Sequence, residues 1–205
     1  MRDEDYLFRP EKEPRSAFSH YLPRLKRVFY QADAVVFWTV PTAKRVKGWL
    51  DDSFHANFRE MMLHTAAREG LLCPMYCLMP DHLHFVWMGI RKDCDQRNGM
   101  KFFKAQLGKK LKPLKFQHQA HDHVLSQEER KRDAFVKVCD YSLMNPVSAG
   151  LVARVEDWKY FGAVVPGYPD VNPSEQGFWP WFWEYYLKVR EPGIEERKLP
   201  LREME

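Results

Sequence analysis

Two apolar runs, residues 72–79 and 82–88, are separated by Pro80 and Asp81 alone. So short a connection makes an antiparallel pairing the simplest solution, because parallel strands need a crossover of a dozen or more residues. The second run reads His82-Leu83-His84-Phe85-Val86-Trp87. Alternate side chains of a strand share a face, so His82 and His84 project together while Leu83, Phe85 and Trp87 enter the opposite, apolar layer. Two imidazoles on one face can chelate one ion. Strands with two histidines on a solvated face are also common, so the pair alone does not fix a function.

The rest of the chain supplies partners for that hairpin. A strand-like segment, residues 34–39, comes before it. Pro41 and Thr42 then introduce a helical stretch in which Leu50, Phe54, Phe58, Met61 and Met62 follow three-and-four spacing, closed by Gly70. After the hairpin, Met100, Phe102, Phe103, Ala105, Leu107 and Leu111 recur at helical spacing. A connector over 113–121, a strand around His123-Val124-Leu125 and a helix over about 127–144 complete a βαββαβα order. This predicts an α+β fold, an antiparallel sheet with helices packed on one face, of the ferredoxin-like kind. With 45% hydrophobic and 15% aromatic content, 205 residues can bury one sizeable core. We expect one main domain over residues 31–165, with a polar N-terminal extension (1–30) and an aromatic-rich C-terminal extension (166–205).

The last helix carries a second motif, Tyr141-Ser-Leu-Met-Asn145-Pro146-Val147. Residues four apart on a helix stand one above the other, so Tyr141 and Asn145 share a flank just before Pro146 ends the helix. Phe135, Val136, Cys139 and Leu143 form the apolar face, leaving Tyr141 and Asn145 beside it. A boundary tyrosine and a helix-ending asparagine would look the same.

Taken together and in this order, Met79-Pro80-Asp81-His82-Leu83-His84 and the tyrosine-asparagine motif resemble the REP-associated tyrosine transposases. These are bacterial members of the HUH endonuclease superfamily, related to the transposases of small single-strand insertion sequences. The resemblance runs from the strand Ala34-Val35-Val36-Phe37-Trp38-Thr39 to Ala149-Gly150-Leu151-Val152. It implies an HUH catalytic domain over 31–165, with Tyr141 as nucleophile and His82, His84 and Asn145 as ligands of Mg2+ or Mn2+. It also implies cleavage of single-stranded or hairpin repeat DNA through a 5′-phosphotyrosine, which conserves bond energy for strand transfer. Each residue type suits that chemistry. A divalent cation relieves charge building on the phosphate, and a phenol, ordinarily titrating near 10, needs help to attack. The match departs at Ser126, where the resemblance leads one to expect arginine. His121 and His123 form a second His-x-His pair, with His118 nearby, and offer an alternative metal site.

Charge is nearly balanced, 32 basic against 28 acidic residues, but unevenly spread. Residues 91–115 hold nine basic side chains and only Asp93 and Asp95. Arg97, Lys101, Lys104, Lys109 and Lys110 are the expected DNA contacts, against the plainer reading of a solvated helix face. Cys73, Cys77, Cys94 and Cys139 show no Cys-x-x-Cys pair and read as reduced, buried thiols, although Cys73 and Cys77 would share a strand face and leave zinc open. The N-terminus has no apolar export segment, so a cytoplasmic, nucleoid-associated protein is expected, with no membrane partner. The aromatic run 178–186 reads as core packing or as a stacking platform for unpaired bases. Rival functions are a non-cleaving hairpin-DNA-binding protein and a metallohydrolase that uses water. The sequence leaves monomer and homodimer both open.

Overall fold

The computed structural model describes residues 24–169 and 171–194. Its elements are β1 (Val35–Pro41), α1 (Asp52–Glu69), β2 (Leu71–Met79), β3 (His82–Gly89), α2 (Gln96–Lys110), β4 (His121–Val124), α3 (Arg132–Leu143), α4 (Asn145–Ser148), β5 (Phe161–Val164) and α5 (Phe178–Val189), joined by short 3-10 turns. The strands form one antiparallel sheet in the order β4-β1-β3-β2-β5. The first four reproduce a ferredoxin-like arrangement, and β5 extends it beside β2. The hairpin forms as its two-residue turn requires, pairing Met79 with His82.

Local signals set the helix limits. Asp51 caps α1 by accepting from the Phe54 amide, and Gly70 closes it in the left-handed region at φ 67°. Asp95 caps α2 through the amides of Arg97 and Asn98. Both helices lie on one face of the sheet. Phe58 of α1 and Phe103 of α2 stack edge-on at 5.7 Å and meet Phe85 and Trp87 of β3. Each such ring contributes about 1.5–3 kcal/mol by leaving water. The buried indoles of Trp38 and Trp87 donate to Gln96 Oε1 and Met62 Sδ, so neither strands a polar group.

The other face is covered too. Phe135, Cys139 and Leu143 of α3 pack with Phe178, Phe182, Trp183 and Tyr186 of α5 against Val35, Met75, Val86 and Met88. Packing of helices on one face therefore describes α1 and α2 but omits this second layer. The physical reason lies in β2, Leu71–Met79, which is buried at every position. A strand apolar on both sides must be covered on both sides. The aromatic run supplies that cover.

Two smaller expectations change. A register shift between Leu72 and Met75 puts Cys73 in the α1–α2 layer, whereas Cys77 pairs with His84 on the opposite face. The bulge at Pro74, which has no amide to give the ladder, is what separates them. Burial raises both thiols, Cys77 to about 12, and on opposite faces of the sheet they cannot share one ion. The domain also begins before residue 31. Phe29 and Tyr30 are core residues, and Arg24 pairs with Asp122 at 3.1 Å. Residues 1–23 of the expected extension and 195–205 of the C-terminal one lie outside the described residues. Among the described residues no helix is long and apolar enough to cross a membrane.

Candidate active site

On β3 only His82 and His84 escape full burial. They alternate with Leu83 and Phe85 and so face the α3 side of the sheet. His84 stands in register between Thr39 of β1 and Cys77 of β2, and His82 between Pro41 and Met79. Their Nε2 atoms are 2.8 Å apart, with the rings nearly perpendicular. Each ring is held from behind. His82 Nδ1 donates to Asp81 Oδ1 at 2.6 Å, a direction fixed because a carboxylate only accepts, and His84 Nδ1 lies 3.0 Å from Thr39 Oγ1. Burial pushes the His84 imidazole down to about 3 and also lowers His82, outweighing the opposing pull of Asp81. Both rings are therefore neutral at pH 7, the form that ligates a metal.

The geometry fits a cation. Two imidazole nitrogens bound at roughly 2.1 Å to one metal lie about 3 Å apart, close to the observed separation. With both Nδ1 atoms engaged, both Nε2 lone pairs can converge on one point. Without an ion, one Nε2–H must lie between the rings, which requires Thr39 to donate its hydroxyl proton to His84. Partners of this kind on the far ring nitrogen orient metal-binding histidines widely.

Tyr141 and Asn145 come from the layer above. Phe135, Cys139, Ser142 and Leu143 anchor α3, while Tyr141 is 66% exposed. The helix breaks at Met144, and Asn145 opens α4 with Pro146 next to it. Asn145 Nδ2 donates to the Ser142 carbonyl at 2.9 Å, which leaves Oδ1 as the atom it can offer an ion. Both α3 and α4 pack on β2, the neighbour of the histidine strand, and α3 does so on the histidine side of the sheet. The structure thus joins the two histidines directly and packs the tyrosine-bearing helix on the same side of the sheet.

The expected DNA contacts do not gather here. α2 lies across the sheet from the histidines, because Met100, Phe103 and Leu107 bind it to the other face. Lys104 donates to the carbonyls of Gln117 and His118 at 2.6 and 2.7 Å, and burial lowers it to about 8. Arg97 sits over the Tyr30 ring, Lys109 bonds Gln106, and Lys101 and Lys110 are exposed. Of the second histidine pair, His123 bonds Glu129 at 2.7 Å. Ser126, the departure from the expected arginine, caps the following turn through the same carboxylate. Sequence reasoning passed over Arg45, whose guanidinium is 3.4 Å from Asp81. Its signal was the basic run Lys44-Arg45-Val46-Lys47 directly after β1.

No family model matches the chain, and no curated protein matches it in sequence. Among solved structures, a REP-associated tyrosine transposase bound to a REP hairpin superposes with a TM-score of 0.55 at 21% identity, over 72% of this chain and 82% of that one. This likeness shows the fold. A bacterial tRNA(His) guanylyltransferase-like protein in complex with GTP aligns at 14% identity over 63% of this chain and 69% of that one, with a TM-score of 0.37, too loosely to bear on it.

Proposed function

We propose that this chain is a REP-associated tyrosine transposase or close kin, a metal-dependent nuclease and strand transferase acting on single-stranded or hairpin DNA. The observation that carries the reading is the pair of imidazoles with Nε2 atoms 2.8 Å apart, on the sheet face against which the helix bearing an exposed tyrosine packs. The fold shared with a hairpin-bound transposase supports it.

His82, His84 and Asn145 would hold Mg2+ or Mn2+, which supplies Lewis-acid relief of phosphate charge when bound. Asp81 and Thr39 keep the imidazoles aimed. The Tyr141 oxygen attacks the scissile phosphorus, and the bond to O3′ breaks. Products are a 3′-hydroxyl, which takes up the proton lost by the phenol, and a 5′-phosphotyrosine link. No nucleotide is consumed, and the link can pass to another 3′-hydroxyl.

The test is a denaturing gel with manganese and labelled hairpin oligonucleotides from repeats flanking the gene. A covalent adduct lost in Tyr141→Phe and on chelation is the expected result. Binding without adduct would favour a non-cleaving binder, and cutting that survives in the mutant would favour activated water.

A further inference from the structure

The loop after β1 is tied to the turn that starts the histidine strand. Thr42 gives its amide to the Asp81 carbonyl at 2.9 Å, its hydroxyl lies between that carbonyl, at 3.0 Å, and the Val46 carbonyl, at 2.9 Å, and the Ala43 amide bonds the Lys115 carbonyl. The loop then carries two successive non-glycine residues in the left-handed region, Lys44 at φ 58° and Arg45 at φ 53°. Side chains with a Cβ resist that conformation, and strain of this kind concentrates at functional sites. A plain turn would place glycine or asparagine there; this one spends two cations.

The result is an arginine aimed at the histidine edge. Arg45 Nη1 is 3.4 Å from Asp81 Oδ2, while the other oxygen of that carboxylate holds His82. The Arg45 side chain remains 48% exposed. Asp81 takes up only one nitrogen of that guanidinium, and at a long distance. A planar fork with donors to spare fits a phosphodiester.

We propose that Arg45 is a phosphate-binding residue of this site, gripping the backbone of a single DNA strand as it crosses the His82–His84 edge, so that the strand enters over the β1–α1 loop and not along α2. This rests on the nucleic-acid reading above.

The experiment is fluorescence anisotropy with a labelled DNA hairpin carrying a single-stranded tail, in chelator so that nothing is cut, across a range of salt. Arg45→Gln, Arg45→Lys and Arg68→Gln are compared with wild type. Arg68, exposed at the end of α1, controls for net charge. The expected result is a several-fold weaker complex for Arg45→Gln, with the slope of log affinity against log salt shallower by about 0.7, the slope restored in Arg45→Lys and unchanged in Arg68→Gln. Equal slopes for Arg45→Gln and wild type, or equal losses in Arg45→Gln and Arg68→Gln, overturn the proposal and leave the nuclease reading intact. Wild-type protein that does not bind the hairpin removes both. The expected slopes without any tyrosine adduct keep Arg45 as a phosphate contact and remove the cleavage chemistry.

Discussion

Thr39 Oγ1 stands 3.0 Å from Nδ1 of His84, on the neighbouring strand and in direct register with it. That contact turns the other ring nitrogen of His84 toward His82. Thr39→Val keeps the shape and removes the polar partner. Manganese affinity, measured by calorimetry, should fall by about 10–100-fold, while hairpin binding in chelator stays at the wild-type level. Affinity equal to wild type would mean that packing alone orients the ring.

Tyr76 ties α1 to the sheet. Its hydroxyl accepts from Arg59 Nη1 at 2.8 Å and lies 2.8 Å from His55 Nε2, and Arg59 also reaches the carbonyls of Ala163 and Pro169. Tyr76→Phe leaves those groups short of a partner inside the fold. Urea unfolding should show a loss of about 1–3 kcal/mol. A change within error would show that the ring, and not the hydroxyl, is what matters.

His55 gives a pH dependence. Burial first, then the charge of Arg59, lowers it to about 4 from an ordinary 6.5. Between those values the unfolded chain binds the proton more readily than the folded one, so stability falls as pH drops from about 6.5 to 4 and is level above. His84, also depressed, acts in the same sense. Thermal melts should show the midpoint of His55→Gln falling less steeply than wild type across this window. Parallel curves would place the acid sensitivity elsewhere.

How far the sequence could be read follows from what each signal depends on. The hairpin at Pro80-Asp81 and the common face of His82 and His84 rest on strand period and a two-residue turn, which are local, and both appear in the structure. The close of α1 at Gly70 is local too. The second helical layer was legible in principle, because β2 is apolar at every position and a strand without alternation is buried on both faces. Cys73 and Cys77 were misplaced by a bulge, which moves later residues to the other face. Arg45 was missed because its importance comes from a loop folding back on Asp81, a contact spanning 36 positions.

Lys104 has a structural task that the basic stripe does not show in sequence. In sequence it is one more cation in a run poor in acids; in the fold its ammonium holds the carbonyls of Gln117 and His118 and so fastens α2 to the connector before β4. An amine already engaged with two carbonyls and partly desolvated gains little from a phosphate. Lys104→Met keeps the aliphatic stem and removes the donors. It should cost about 1–2 kcal/mol in urea unfolding while leaving hairpin affinity and its salt slope unchanged. A shallower slope with unaltered stability would instead return α2 to the path of the DNA.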